Sequence, residues 1–181
     1  MRQITLVTGS ADKLAEWREA FPGDFDFETA DIDLDEIQSL DLEAIAVDKA
    51  KRAYDQLGRP VIVEDVSAGL ENLGGLPGPF IKYFEKQLGD NALYELGKDL
   101  GGRAVLTCTI AYYDGEDAVT AQGEVTGEVC PPRGENGFGF DFCFQQDGQT
   151  KTYAEMTPEE KGKISYRALA IKNMLEQLKQ L

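Results

Sequence analysis

Apolar positions along the chain change period several times, and each change marks an element. Ile4 to Thr8 is a short β-branched run that ends at Gly9 and a polar turn, as a strand feeding a helix does. Leu14, Trp17 and Phe21 then recur at helical spacing, with Lys13, Glu16, Arg18 and Glu19 on the other faces. Residues 25–32 predict a second strand on the imperfect alternation of Phe25, Phe27 and Ala30. Asp41 is placed to cap a longer helix with apolar positions at Leu42, Ile45, Ala46, Ala50, Ala53, Tyr54 and Leu57, and Gly58 to end it. Pro60-Val61-Ile62-Val63 opens a strand of continuous apolar character, the pattern of a sheet centre. Here the acidic pair Glu64-Asp65 is read as following the end of that strand.

A turn-rich stretch, residues 74–79, precedes a helical segment from about Phe80 to Leu88. Ala104 to Tyr113 and Thr120 to Val129 predict two long strands joined at Asp114-Gly115 as an antiparallel hairpin. Phe140 to Phe144 predicts a further aromatic strand. One final helix is expected, with Thr157 as N-cap, Pro158 at its first position, Glu160 closing a capping box, and Ile164, Ala168, Ile171, Leu175 and Leu178 as its buried stripe. Early β-α-β-α-β followed by strand pairs predicts a mixed α/β fold whose sheet is extended by antiparallel strands.

The length of 181 residues suits a single domain, and no repeat or low-complexity linker interrupts it. A net charge of −15 argues against general nucleic-acid or anionic-membrane binding. The absence of histidine removes every His-dependent relay and His metal site, leaving carboxylates, lysines, hydroxyls or thiols for any chemistry. Cys108, Cys130 and Cys143 form no CxxC pair and read as thiols in a reducing cytoplasm. Neither a signal-peptide core nor a run of about 20 apolar residues is visible, so a soluble intracellular protein is expected.

Four stretches are candidates for chemistry. Thr8-Gly9-Ser10-Ala11-Asp12-Lys13 joins a strand to a helix and reads either as a phosphate cradle or as a tight connection. Glu64-Asp65 sits where an α/β sheet places ligands, and reads as divalent-metal chemistry or as a loop carboxylate pair; Glu36 can approach the same crevice or be one more solvated acid. Residues 133–141 alternate glycine with Phe138 and Phe140 and end in Asp141, which suits stacking of a base or a hairpin with core-facing rings. Lys161, Lys163 and Arg167, flanking Ser165, form either a local anion site or a surface helix face.

In this order the stretches TGSADK, DLDEIQ, VEDVS, GGLPGPFIKYF, PRGENGFGFD, KTYAEMTPEEK and ISYR resemble the inosine triphosphate pyrophosphatase family from the first strand to the last helix. The resemblance implies an α/β fold with a mixed, elongated sheet flanked by helices, two lobes around a central cleft, and a homodimer. It implies hydrolysis of non-standard purine nucleoside triphosphates to monophosphate and pyrophosphate, with Mg²⁺ as cofactor. Carried over by position, Thr8, Gly9, Ser10 and Lys13 would cradle the phosphates. Glu36 and Asp65 would hold Mg²⁺, Asp65 also being the base for the attacking water. Lys49, Val66, Lys82 and Lys161 would face the phosphates or shape the pocket. Phe138 and Gly139 would lie against the base, with Phe140, Asp141, Ser165, Tyr166 and Arg167 around its edge. Polyphosphate with a metal needs cations and hard oxygen donors and no histidine.

Several positions depart from the family pattern: Ser10 for Asn, Val66 for Ser or Thr, Phe140 for Trp or Tyr, Phe142 for Pro, and Tyr166 for the His of Ser-His-Arg. Loss of a hydroxyl at Val66 is expected to cost about 1 kcal/mol of phosphate contact. Tyr166 puts a larger phenolic ring beside the base, so a modified base preference with retained catalysis is expected. The competing readings are a non-catalytic nucleotide-binding module and a same-fold hydrolase of another modified nucleotide.

Overall fold

The computed structural model describes residues 4–20 and 27–180. Phe21 and Phe25, assigned above to the first helix and second strand, lie outside these. The chain runs β1 (Ile4–Val7), α1 (Ala11–Ala20), β2 (Phe27–Ala30), α2 (Leu42–Leu57), β3 (Val61–Leu70), β4 (Pro77–Gly78), α3 (Ile81–Leu88), α4 (Ala92–Gly97), β5 (Arg103–Tyr113), β6 (Ala118–Val129), β7 (Phe144–Gln146), α5 (Pro158–Ile164) and α6 (Tyr166–Leu178), with single 3-10 turns between some of these.

One seven-stranded sheet has the order β2-β1-β3-β5-β6-β7, with β4 on the free edge of β3. β1 is parallel to both neighbours, and every later pairing is antiparallel. The expected mixed sheet is therefore present, and its two regimes meet at β3. Both faces are covered, which is why the central strands read as continuous apolar runs. Val7, Val61 and Val63 point to one face, where Ala46, Ala50 and Ala53 let α2 approach closely. Leu6, Ile62, Leu106, Ile110 and Tyr112 point to the other, under Trp17 of α1 and Ile171 and Met174 of α6. α6 crosses β6 at Gly123, where a Cβ would sit 2.1 Å from the Tyr166 carbonyl oxygen.

The caps of α2 form as its sequence predicts. Asp41 Oδ1 accepts from the amides of Glu43 and Ala44, and Gly58 ends the helix at φ 64°. Thr157 and Glu160 exchange the two bonds of the capping box at α5.

Three expectations are corrected. β3 does not stop at Val63 but continues to Leu70, because β5 pairs with it along its whole length. Residues 139–142 form a 3-10 turn and not a strand: Gly137 and Gly139 take φ of 94° and 56°, and β7 begins only at Phe144. The last helix is two helices. Ser165 is extended at ψ 155°, ends α5, and restarts the chain as the N-cap of α6 by accepting from the Ala168 amide.

Candidate active site

β1 ends at Val7 and the chain turns away, so β3 loses its parallel neighbour after Ile62 while β5 holds its other edge. A crevice opens there, at the carboxyl end of β1, beside Glu64 and Asp65. The acidic pair is thus mid-strand, and strand alternation sends its members to opposite faces.

Asp65 points toward α2. Lys49 Nζ lies 3.8 Å from Asp65 Oδ1 and 2.8 Å from Glu36 Oε1, bridging the two carboxylates, and Lys82 pairs with the other oxygen of Glu36. Asp65 is 9% exposed; burial raises its pKa, opposed by Lys49 and Lys13 and reinforced by the Glu64 charge. A carboxylate with a raised pKa is a better proton acceptor.

Glu64 points toward α1 and α6 and is 2% exposed. It accepts from Arg167 Nε at 3.0 Å and Nη2 at 3.1 Å, from Trp17 Nε1 at 2.8 Å, and pairs with Lys13 Nζ at 3.1 Å. Although burial opposes its charge, Arg167 and Lys13 hold its pKa far below the ordinary range. The Arg167 guanidinium, 1% exposed, is closed on its other side by Glu16 at 2.5 Å. Glu16 also accepts from Lys161 Nζ at 2.6 Å, and Lys161 reaches Asp141 Oδ2 at 2.5 Å. These buried charges form one continuous strut from β3 to the start of α6.

Two cavities flank Phe138. The first, about 150 Å³, brings together Lys13, Glu36, Lys49, Asp65, Val66 and Lys82 in its lining. Gly139, Phe140, Tyr166 and Arg167 line it as well, with Glu85 of α3 in its wall. The second, about 300 Å³, is lined by Glu16, Asn136, Tyr153, Lys161 and Ser165, and shares Phe138 and Arg167 with the first. Lys161 Nζ and Arg167 Cζ stand 5.2 and 5.7 Å from the centre of the Phe138 ring. The Tyr166 ring packs between Phe140 and Tyr153, at 6.0 and 6.2 Å between centroids.

Thr8, Gly9, Ser10 and Asp141 line neither cavity. Thr8 Oγ1 accepts from the Ser10 amide and Ser10 Oγ from the Lys13 amide, fixing the turn that aims Lys13 inward. Gly9 leaves room for Asp31, whose Oδ1 would lie 2.4 Å from a Cβ there. Asp141, buried and with its pKa raised by that burial, accepts from the Phe138 amide at 3.0 Å and so fixes the aromatic turn. Ser165 is committed to capping α6.

The sequence pattern marks Trp17 as an apolar position of the first helix and Glu16 as part of its polar face, and it places neither of them, nor Glu85, in the site. In the sequence Glu64 reads only as half of an acidic pair; period-two alternation is the signal that separates it from Asp65.

Among the described residues no three acidic or thiol side chains gather as a ready metal cage. Glu36 and Asp65, bridged by one ammonium, form a two-carboxylate donor set beside three lysines. That composition fits Mg²⁺, which is commonly held by one or two carboxylates, waters and substrate phosphates and not by an all-protein cage.

The Ham1 family model matches residues 4–177. The chain belongs to the Ham1 family. It is 39% identical to an inosine triphosphate pyrophosphatase of Emericella nidulans over 94% of this chain and 93% of that one. It is 41% identical to inosine triphosphate pyrophosphatase 2 of Trypanosoma cruzi over 93% and 88%. A HAM1 protein from Coxiella burnetii has the same fold, with TM-score 0.86, 27% identity and full coverage of both chains.

Proposed function

We propose that this Ham1-family chain is a nucleoside triphosphate pyrophosphatase that hydrolyses non-standard purine nucleotides, such as ITP, to the monophosphate and pyrophosphate. The observation that carries the reading is the convergence of Lys13, Lys49 and Lys82 with Glu36 and Asp65 in one cleft that the Phe138 ring also lines. Cations for a polyphosphate, a carboxylate pair and an aromatic platform for a base thus line one cavity. The curated relatives are inosine triphosphate pyrophosphatases, which favours this reading over a non-catalytic binder.

In this reaction water attacks phosphorus, the α–β anhydride bond breaks, and pyrophosphate leaves. Asp65 takes the proton of the attacking water, a role its raised pKa suits. Lys13, Lys49 and Lys82 offset the phosphate charge, and positioning supplies much of the rate gain. Glu36 and Asp65 would hold Mg²⁺, which when bound supplies charge neutralisation on the phosphate oxygens. Phe138 stacks on the base. Tyr166, buried beside Phe140, alters the pocket from the family's imidazole-containing form, and a shifted base preference follows.

A homodimer is part of this reading, supported by exposed Tyr83, Phe84 and Leu88 on α3 with Leu73 and Leu76 before it. So is a cytoplasmic location, supported by three free cysteines; no helix among the described residues is long and apolar enough to cross a membrane. Asp65→Asn tests the core of the proposal: turnover of ITP should fall at least a hundredfold while nucleotide binding persists. A variant that turns over ITP at the parent rate would remove Asp65 from the chemistry.

A further inference from the structure

Among the described residues, Glu85 Oε1 is the buried side-chain polar atom left without a hydrogen-bond partner. Glu85 lies one turn after Lys82 on α3, in the wall of the cleft that holds Asp65, and faces the turn at Gly139. A Cβ at Gly139 would stand 2.5 Å from this oxygen, so glycine there is what leaves space for the carboxyl. Burial, with Asp90 and Asp141, raises the Glu85 pKa to about 7, partly offset by the Phe140 amide and Lys13. A carboxyl with one buried, unpartnered oxygen in this cleft is unfavourable in two ways: that oxygen is desolvated, and the ionised group repels polyphosphate.

Its position suggests what compensates. Glu85 stands between Lys82, one turn earlier on α3 and paired with Glu36, and the Gly139 turn that follows Phe138; in the nucleotide reading Lys82 faces phosphate and Phe138 the base. Between the phosphates and the base of a nucleotide lies the pentose, whose hydroxyls are the donors a carboxyl oxygen accepts from. We propose that Glu85 accepts a hydrogen bond from a pentose hydroxyl of the bound nucleotide and so makes the cleft selective for the sugar. The inference rests on the nucleotide reading given above.

The test measures kcat/KM for ITP, 2′-deoxy-ITP and 3′-deoxy-ITP with the parent protein, Glu85→Leu and Glu85→Gln. The parent should disfavour one deoxy substrate by about tenfold or more, the scale of one hydrogen bond to a carboxyl group. Glu85→Leu should lower ITP to the level of that deoxy substrate, and Glu85→Gln, which keeps an acceptor oxygen, should retain most of the discrimination. Because leucine removes an unsatisfied polar group, this variant should fold at least as well as the parent. Identical ratios in parent and Glu85→Leu, or an equal fall on all three substrates, would overturn the proposal. Hydrolysis of none of them by the parent would overturn the nucleotide reading itself, and this inference with it.

Discussion

Glu64→Gln is the sharpest perturbation of the buried strut. Glutamine keeps the shape and still offers an oxygen to Trp17 Nε1, so the change removes charge and little else. Arg167, 1% exposed, then retains Glu16 as its one anionic partner among the described residues, and Lys13 loses its ion pair at 3.1 Å. Breaking a buried ion pair from one side costs about 3–5 kcal/mol. With a urea m-value of about 2 kcal/mol/M for a chain of this size, the midpoint should fall by about 2 M at pH 7. The sign of the pH dependence follows from the depressed pKa of Glu64. Stability from a carboxylate held below its ordinary value of 4.5 is fully present above that pH and is lost as pH falls toward the folded-state value. The gap between parent and variant should therefore narrow by about 2 kcal/mol at pH 3, at 1.36 kcal/mol per unit below the ordinary value. Urea titrations at both pH values provide the assay. A midpoint shift below about 0.5 M at pH 7, or a gap that widens on acidification, would refute the claim that this charge holds Arg167 in place.

Three further outcomes are expected. Glu85→Gln should stabilise the protein at pH 8 and not at pH 4, because a folded-state pKa raised to about 7 makes ionisation destabilising as pH rises through 4.5 to 7; with solvent screening of this partly exposed group the gain is about 1–2 kcal/mol by denaturant titration. Gly123→Ala should lose roughly 3 kcal/mol or fail to fold, since the added Cβ meets the Tyr166 carbonyl oxygen and the Ala170 amide of α6, while Gly58→Ala, with nothing within 4 Å, should lose only about 1 kcal/mol from its left-handed φ. Chelation of divalent ions should abolish ITP turnover, and added Mg²⁺ should restore it; persistence of full activity in chelator would remove Glu36 and Asp65 as metal ligands.

Much of the fold was legible because its signals are local. Asp41 and Gly58 bracket α2, and Thr157 with Glu160 starts α5, through bonds spanning two to four residues. The misreadings arose where tertiary partners overrode local pattern. Glu64 and Asp65 look like the end of a strand, yet β5 pairs past them and Arg167 and Lys49, distant in sequence, make their burial tolerable. The aromatic alternation from Phe140 to Phe144 reads as a strand, yet the left-handed glycines at 137 and 139 and the Asp141 carboxylate bend the chain into a turn. The break at Ser165 was hidden because apolar positions continue across it in helical phase. At the site, the residues alone suggest Lys13, Glu36 and Asp65, the resemblance adds Lys49 and Lys82, and all five share one cleft. Glu16 and Glu85 are not legible as site residues, because a lone glutamate on a helix in so acidic a chain carries no pattern of its own.

The most direct measurement is the product identity of ITP hydrolysis in the presence of Mg²⁺, resolved by anion-exchange chromatography of a single time course. Inosine monophosphate and pyrophosphate should accumulate in equal amounts from the first time points. Inosine diphosphate with orthophosphate, or intact ITP after prolonged incubation, would contradict cleavage of the α–β bond in the Asp65 cleft.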